Sequence, residues 1–153
     1  MNKVILITGC SSGFGMLTAA KLAAAGHTIY ATMRNLQKQN ALMLELEQRD
    51  TMCQILHLDV TEDKSINKVI DTIEKQAGRL DVLINNAGYG IGGFFEDLLE
   101  DEIRSQFETN FFGVQKVTRS ALPLMRATAS KSGKDFSTKI INISSAQGRS
   151  TLP

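Results

Sequence analysis

The stretch TGCSSGFG, residues 8–15, has the residue types and the spacing of a loop that could bind an anion. Gly9 permits a tight turn, Gly13 lets main chain approach a pyrophosphate, and Gly15 permits close packing of a following helix. Free N–H groups at the start of such a helix favour negative charge. The Gly-x-x-x-Gly-x-Gly spacing differs from the usual dinucleotide fingerprint, and no Lys follows as a P-loop requires. A plain turn between strand and helix is therefore the alternative.

The segment ATMR, residues 31–34, follows the second strand-like run. An acidic side chain here usually holds a free ribose diol, but this chain has Met33 at that point and Arg34 next. A guanidinium suits a 2′-phosphate because it makes paired, charge-assisted hydrogen bonds. Ser12 could add a hydroxyl. The alternative is that Arg34 is a solvated surface residue.

Two further turns follow strand-like runs. Asp59, in LDV, could accept a hydrogen bond from the amino group of an adenine. A lone Asp at a strand end is, however, more often a cap or turn residue. The segment NNAG, residues 85–88, is a turn of small residues that lets main chain pass close under a ribose.

Two polar positions have types suited to catalysis. Asn110, in ETNFFG, falls in or beside an apolar helical stripe, where an unsatisfied amide would cost roughly 1–3 kcal/mol. Its side chain therefore either braces a local distortion or holds a water. The segment SSAQG, residues 144–148, ends the fifth strand-like run and offers a hydroxyl at a strand end.

Alternating strand-like and helical segments position these motifs. Short apolar, β-branched runs predict strands over 4–8, 28–32, 54–58, 82–84 and 139–143. Helical periodicity predicts helices over 13–25, 36–48, a segment capped by Thr61, and about 100–126. The polar segment 128–137 is predicted to be an exposed loop.

Apolar side chains of the long predicted helix form a stripe typical of a buried face: Ile103, Phe107, Phe111, Val114, Val117 and Ala121. The aromatic residues Phe94, Phe95, Phe111 and Phe112 are predicted to be mostly core. Because Phe94 and Phe95 follow a glycine-rich segment, a substrate loop is the alternative for these two.

This order of elements predicts an α/β fold, a doubly wound parallel sheet of the Rossmann type forming one domain over residues 1–153. Right-handed crossovers place the ligand site at the carboxyl ends of the strands.

Composition excludes several other classes. The net charge of +1 is spread along the chain, so neither nucleic acid nor an anionic membrane surface is an expected partner. Cys10 and Cys53 match no zinc or disulfide spacing, which fits a reducing compartment, and no metal site is expected. The amino-terminal apolar run is too short for a signal peptide or membrane span, so we expect a cytoplasmic protein.

In order along the chain, five features resemble the short-chain dehydrogenase/reductase family: Thr8-Gly9-x-x-x-Gly13-x-Gly15, Asp59, Asn85-Asn86-Ala87-Gly88, Asn110, and Ser-x-x-Gly from Ser145 to Gly148. The resemblance covers all 153 residues. Within the family, the sequences of two segments are most similar to the hydroxysteroid and retinol dehydrogenase-like branch. These segments are YATMRN and QFETNFFGVQKVTRSALPLMR.

The resemblance implies hydride transfer between a nicotinamide cofactor, NADP(H) rather than NAD(H), and a small alcohol or carbonyl substrate. It implies that Ser145 steadies the substrate oxygen and that Asn110 keeps a water in a proton relay. It implies the following cofactor-binding residues: Thr8, Gly9, Ser11, Ser12, Gly13, Phe14, Gly15, Arg34, Asp59, Val60, Asn86, Ala87 and Gly88.

The family's proton-transferring Tyr-x-x-x-Lys pair is absent from these residues. Four positions after Tyr30 stands Arg34, and four positions after Tyr89 stands Gly93. We therefore expect a sequence cut between the Ser and the Tyr, with a fifth strand left as an apolar sheet edge and a marginal, oligomeric or poorly soluble product. For a longer parent protein, the resemblance implies a homo-oligomer.

Two other functions remain open at this point. A non-catalytic dinucleotide-binding or regulatory protein would share the fold and lack the Tyr, although it has no evident need for Asn110 and Ser145. A methyltransferase would explain the glycine loop but neither NNAG nor Ser145.

Overall fold

The computed structural model describes residues 2–133 and 136–145, which form a five-stranded parallel sheet flanked by helices. The strands are β1 (Val4–Ile7), β2 (Thr28–Met33), β3 (Gln54–His57), β4 (Val82–Asn85) and β5 (Lys139–Asn142). The helices are α1 (Gly13–Ala24), α2 (Asn40–Glu47), α3 (Asp63–Ala77), α4 (Glu100–Phe107) and α5 (Val114–Ser132). The predicted α/β fold is confirmed.

The strands lie in the order β3-β2-β1-β4-β5, with every pairing parallel. The chain steps outward from β1 to β3 and then crosses back to place β4 on the other side of β1. The winding direction therefore reverses between β1 and β4. Open α/β sheets bind ligands at this point, outside the carboxyl ends of the strands.

The alternating side chains of β1 connect two apolar cores, one on each face of the sheet. Val4 and Leu6 pack into a core with buried residues of α3 and α5, whereas Ile5 and Ile7 pack into a core with α1 and α2. Because all four side chains are buried, the strand is apolar throughout, as expected for a parallel sheet covered on both faces.

The predicted long helix is interrupted. A π-helical segment, Glu108–Gly113, separates α4 from α5. Val117 and Ala121 are buried as predicted, but Phe107 and Phe111 are 57% and 52% exposed. The wider π turn changes the angle between successive side chains, so a period of 3.6 residues does not continue through it. The stripe prediction is wrong at these two residues.

The prediction of a mostly buried aromatic cluster is also wrong. Phe94 and Phe95 are 76% and 80% exposed, and Phe112 is 43% exposed. Phe111 and Phe112 pack edge to face, with ring centroids 5.1 Å apart, but they do so at the surface.

Two boundaries differ from prediction. The N-cap position of α3 is Glu62, whose side chain makes no capping bond, and not Thr61. The Thr61 N–H and hydroxyl both donate to Asp59 Oδ1, at 2.9 and 2.7 Å. The predicted loop from residue 128 is helical up to Ser132. Its buried Thr128 accepts a 2.9 Å hydrogen bond from Leu80 N, which fixes this last part of α5 against the residues that lead into β4. Residues 134 and 135 of that predicted loop lie outside the described residues.

Asp81 joins the amino-terminal ends of three strands. Its carboxylate, 1% exposed, accepts a 2.7 Å hydrogen bond from Val4 N and a 2.5 Å bond from the Arg79 guanidinium. Its own carbonyl accepts from Lys139 N at 2.9 Å. Arg79 also lies 5.5 Å from the centroid of the Phe136 ring. Asp81 therefore ties β1, β4 and β5 together at the end of the sheet opposite the carboxyl ends of the strands.

Candidate functional site

Thr8 and Asn86 follow β1 and β4, the two strands at which the winding reverses. The Thr8 hydroxyl accepts hydrogen bonds from the main-chain N–H groups of Asn86 and Ala87, at 3.0 and 2.9 Å. In return, Asn86 Nδ2 donates to the carbonyls of Thr8 and Gly9, both at 2.9 Å. The glycine loop and the NNAG turn are thus held together by side chains rather than by strand pairing.

Two glycines allow the backbones of these turns to approach so closely. A Cβ atom on Gly9 would lie 2.7 Å from Ala87 Cα, and Gly9 has a φ of +73°. A Cβ atom on Gly15 would lie 2.4 Å from both Asn86 Nδ2 and the Gly9 carbonyl oxygen. Since real Cβ atoms do not make such contacts, both positions require glycine.

The space beside Gly13 is open, in contrast. A Cβ atom there would have no neighbour within 4 Å, and Gly13 has a φ of +58°. Helix α1 begins at this residue, and its N-cap Ser12 is extended and makes no side-chain capping bond. The first N–H groups of a helix have no intrahelical partner and carry the positive end of the helix dipole. The open side of the loop is therefore suited to a negatively charged group.

A cleft of about 450 Å³ opens at this point. Ten of the residues predicted to bind a cofactor line it: Gly9, Ser11, Ser12, Phe14, Arg34, Asp59, Val60, Asn86, Ala87 and Gly88. Thr8, Gly13 and Gly15 do not line it. Thr8 is buried beneath the cleft, and Gly15 packs against Asn86.

Arg34 and Asp59 stand near one end of the cleft, at the ends of β2 and β3. Within the described parts of the chain, the exposed Arg34 guanidinium has no acidic partner, so its donors are available. One Asp59 oxygen is committed to Thr61, and the Asp59 N–H donates to Ser65 Oγ at 3.0 Å. Asp59 is thus the turn residue that the sequence allowed, and it also lines the cleft.

Asn110 braces the chain that leaves β4. Its Oδ1 accepts from Tyr89 N at 3.0 Å, and its Nδ2 donates to the Tyr89 carbonyl at 2.7 Å. Asn110 lies in the π-helical segment and is exposed rather than buried. These two bonds are of the bracing kind, the first of the two alternatives drawn from the sequence.

Ser145 lies three residues beyond the end of β5 and is exposed. Ahead of it, Ile143 N donates to the Asn85 carbonyl at 2.9 Å, and Asn85 Nδ2 donates to Asn142 Oδ1 at 2.9 Å. These bonds continue the β4–β5 pairing up to the cleft, which Ile143 lines. Gly148, the last residue of the predicted Ser-x-x-Gly motif, lies outside the described residues.

Five residues that line the cleft were not singled out from the sequence as site residues: Met33, Leu58, Tyr89, Thr109 and Ile143. Four of them are immediate neighbours of predicted site residues in the sequence, and Ile143 precedes Ser145 by two. Their position beside a sequence motif was thus the signal by which these residues could have been predicted to line the cleft. Residue type gave none, because most of these side chains are apolar.

The two thiols, Cys10 buried and Cys53 partly buried, are poorly suited to act as nucleophiles. Burial raises the pKa of Cys10 to about 12, with a smaller opposing effect from the Thr32 main chain, and raises that of Cys53 to about 11. Cys10 Sγ donates to the Ile7 carbonyl at 3.4 Å. A thiol without thiolate character is unreactive, so Cys10 acts as an apolar core residue and Cys53 as a partly buried residue packed against the same core.

Two other kinds of site are absent from residues 2–133 and 136–145. No group of three or more His, Cys, Asp or Glu side chains there could hold a metal ion. No helix in this part of the chain is long and apolar enough to cross a membrane.

The chain belongs to the short chain dehydrogenase family, whose model matches residues 3–153. The 3-ketodihydrosphingosine reductase of Bacteroides thetaiotaomicron is 41% identical over 151 residues, which are 99% of this chain and 50% of that protein. Retinol dehydrogenase 8 of Bos taurus is 38% identical over 130 residues, 81% of this chain and 40% of that protein. The resemblance read from the sequence is confirmed, and the chain spans half or less of the length of these curated relatives.

Solved structures agree with this assignment. A short-chain dehydrogenase from Streptomyces avermitilis superposes with a TM-score of 0.82 at 37% identity, over 99% of this chain and 52% of that one. An actinorhodin polyketide ketoreductase with NADPH gives 0.87 at 27% identity, over 99% and 56%. An NADH-dependent reductase complexed with NAD gives 0.83 at 27% identity, over 97% and 61%.

Proposed function

We propose that this chain forms the cofactor-binding part of an oxidoreductase that transfers hydride between NADP(H) and an alcohol or carbonyl substrate. One observation supports this most strongly. A single cleft is bordered by the start of α1, which favours an anion, and by Arg34, whose guanidinium is available for a second one. A dinucleotide carrying a 2′-phosphate has these two anionic groups.

The cleft suits the parts of such a cofactor in order along the sheet. The pyrophosphate would lie over the glycine loop, where the open space beside Gly13 and the main chain of Ser12 and Phe14 receive it. The 2′-phosphate would bind Arg34, and the adenine would lie against Asp59 and Val60. The named relatives differ in cofactor, since one solved structure holds NADPH and another NAD. The preference for NADP(H) therefore depends on Arg34.

The other half of the cofactor would extend towards the end of β4, past Asn86, Ala87 and Gly88. When bound, the nicotinamide supplies or accepts the hydride. Ser145 would donate a hydrogen bond to the substrate oxygen, which stabilises charge that develops there. Asn110 would hold this wall of the cleft through its two hydrogen bonds to Tyr89.

None of these 153 residues can be given the proton-transfer role of the family's Tyr-x-x-x-Lys pair, because neither tyrosine is followed four positions later by Lys. We therefore infer that the chain binds cofactor without turnover, and that catalysis belongs to a longer homo-oligomeric protein. The same observation favours the second candidate, a non-catalytic dinucleotide-binding protein. The two thiols, neither in a disulfide, support a reducing cytoplasmic setting.

The test is a fluorescence titration of the chain with NADPH and NADH, using Arg34→Leu and the matched control Arg126→Leu. Arg126 is exposed on α5 and does not line the cleft. Losing charge-assisted hydrogen bonds to the phosphate should weaken NADPH binding about tenfold or more in Arg34→Leu. NADH binding should be unchanged, and Arg126→Leu should match the unaltered chain. Equal affinity of the unaltered chain for both cofactors would refute the NADP(H) preference, and no binding of either would refute the proposed function.

The two candidate functions are separated by turnover. A protein that contains this chain and a Tyr-x-x-x-Lys pair beyond it should oxidise NADPH in the presence of a ketone. A protein that binds NADPH with the affinity of this chain but consumes none with any alcohol or ketone tested would be the non-catalytic alternative.

A further inference from the structure

The main chain of Tyr89 is held on both sides by side-chain amides. Its N–H donates to Asn110 Oδ1 at 3.0 Å. Its carbonyl accepts two hydrogen bonds, one from Asn110 Nδ2 at 2.7 Å and one from Gln106 Nε2 at 3.1 Å. A carbonyl oxygen has two lone pairs, so both donors can be accommodated. Gln106 is therefore a second bracing residue at this point, and no family motif identified in the sequence includes it.

The spacing of the two amides explains why they reach the same atom. Gln106 lies in the last turn of α4, and Asn110 lies four residues later in the π-helical segment. Both side chains reach the Tyr89 carbonyl, so they project from the same face of this part of the chain. A glutamine and an asparagine at this spacing can therefore both contact a chain that crosses the face.

The chain held in this way is a wall of the cleft. Gly88 and Tyr89 both line it, and a Cβ atom on Gly88 would lie 3.1 Å from Asn110 Oδ1. Immediately beyond, a Cβ atom on Gly90 or on Gly92 would have no neighbour within 4 Å. Packing therefore restrains the chain weakly after Tyr89, and the two amides fix the direction in which the wall leaves β4.

Arg34 and Tyr89 stand at opposite ends of this cleft. Arg34 follows β2, Tyr89 follows β4, and β1 lies between the two strands. A dinucleotide whose 2′-phosphate binds Arg34 would therefore place its nicotinamide half beside Gly88 and Tyr89. A displacement of Tyr89 should affect that half of the cofactor and leave the adenosine half in place.

We propose that Gln106 is a positioning residue for the nicotinamide half of the cofactor, acting through the Tyr89 carbonyl. The inference rests on the proposed cofactor-binding function. It adds a residue that would not contact the cofactor itself. This residue instead positions the wall of the cleft that would contact it.

The experiment compares two ligands on the same variants. By the proposed function, NADPH would occupy the whole cleft, whereas adenosine 2′,5′-bisphosphate would occupy the adenosine end alone. Gln106→Leu removes the donor and keeps most of the volume, and Gln106→Glu keeps the size but has no donor at neutral pH. The matched control is Gln115→Leu, an exposed glutamine on α5 that does not line the cleft.

Both Gln106 variants should bind NADPH about fivefold more weakly, as expected for one lost hydrogen bond. Their affinity for adenosine 2′,5′-bisphosphate should equal that of the unaltered chain, and Gln115→Leu should change neither. An equal loss for both ligands would show a general structural role and overturn the inference, as would unchanged NADPH binding. If the unaltered chain binds neither ligand, it is the proposed function that fails, and the inference fails with it. Circular dichroism of each variant checks that it is folded.

Discussion

Thr8 and Asn86 bind each other in both directions across the reversal point of the sheet. The Thr8 hydroxyl accepts from Asn86 N at 3.0 Å, and Asn86 Nδ2 donates to the Thr8 carbonyl at 2.9 Å. The side chain of one turn therefore satisfies the main chain of the other. This reciprocal pair fixes the distance between the glycine loop and the NNAG turn, on which the shape of the cleft depends.

Thr8→Val should destabilise the chain more than a substitution that preserves side-chain shape normally does. The two shapes are nearly the same, but valine has no acceptor for the N–H groups of Asn86 and Ala87. Each unsatisfied donor costs about 1–3 kcal/mol, so for the two donors we expect a loss of about 2–6 kcal/mol in the free energy of unfolding. Urea denaturation measures it. Thr8→Ser retains the hydroxyl and should keep most of the stability; a Val variant as stable as the Ser variant would show that these bonds contribute little.

Three glycine substitutions should fall in a defined order. Gly15→Ala places a methyl group against Gly9 and Asn86, and the main-chain atoms there cannot move aside without opening the loop. We expect a loss of at least about 2 kcal/mol. Gly13→Ala has open space and a φ of +58°, so its cost is the backbone strain of roughly 1–2 kcal/mol. Gly90→Ala has neither problem and should be neutral. If Gly13→Ala proves less stable to unfolding than Gly15→Ala, the result would contradict the packing described here.

Asp81→Asn should weaken the end of the sheet remote from the cleft. The buried carboxylate accepts from both Val4 N and the Arg79 guanidinium, which is 33% exposed, so removing its charge should cost about 1–3 kcal/mol. Glu100→Gln is the control, because the Glu100–Arg104 pair is exposed and should contribute about 0.5 kcal/mol or less. Thermal unfolding followed by circular dichroism compares the two. Equal melting temperatures for both variants would refute the role of Asp81 in holding the three strands together.

The chain should lose stability as the pH rises above about 9, the ordinary pKa of its two thiols. Burial raises the pKa of Cys10 to about 12, so the unfolded chain ionises this thiol at a pH at which the folded chain does not. The contribution is complete below the unfolded pKa of 9.0 and is lost as the pH rises towards the folded value. For Cys10 we expect a loss of about 1 kcal/mol between about pH 8 and about pH 10. Burial acts in the same direction on Cys53 and Tyr30.

Urea denaturation across this alkaline range measures the effect. The Cys10→Ala variant is less stable at neutral pH because it leaves a cavity, but its stability should decline less steeply with pH. A slope equal to that of the unaltered chain would rule out Cys10 as its source.

The strands could be predicted because each is short, apolar and buried on both faces. Val4 to Ile7 shows this best, since all four side chains are in the core. The exposed aromatic residues could not be predicted from the same signal. Periodicity identifies an apolar helix face but not what covers it, and the π-helical segment from Glu108 to Gly113 changes the period where Phe111 lies.

The loop residues of the candidate site could be predicted from the sequence, whereas the residues that hold these loops in place could not. Gly9, Arg34 and Asn86 could be identified from type and position, because glycine, arginine and asparagine at strand ends are typical of ligand-binding turns. The role of Gln106 depends on a hydrogen bond to a main-chain atom 17 residues away. Any polar helical residue could make such a bond, and the sequence does not distinguish this one.

The contact between Gly15 and Asn86 has a thermodynamic consequence for binding. Because both turns are held by packing and by the Thr8 hydroxyl, the chain itself shapes the cleft, and a cofactor that binds as proposed would find it already formed. Association then requires little loss of conformational entropy in these turns, and more of the contact energy is retained as affinity. The centre of the sheet would thus act as a preorganised receptor for such a cofactor, and the glycines that weaken a chain elsewhere would favour binding here.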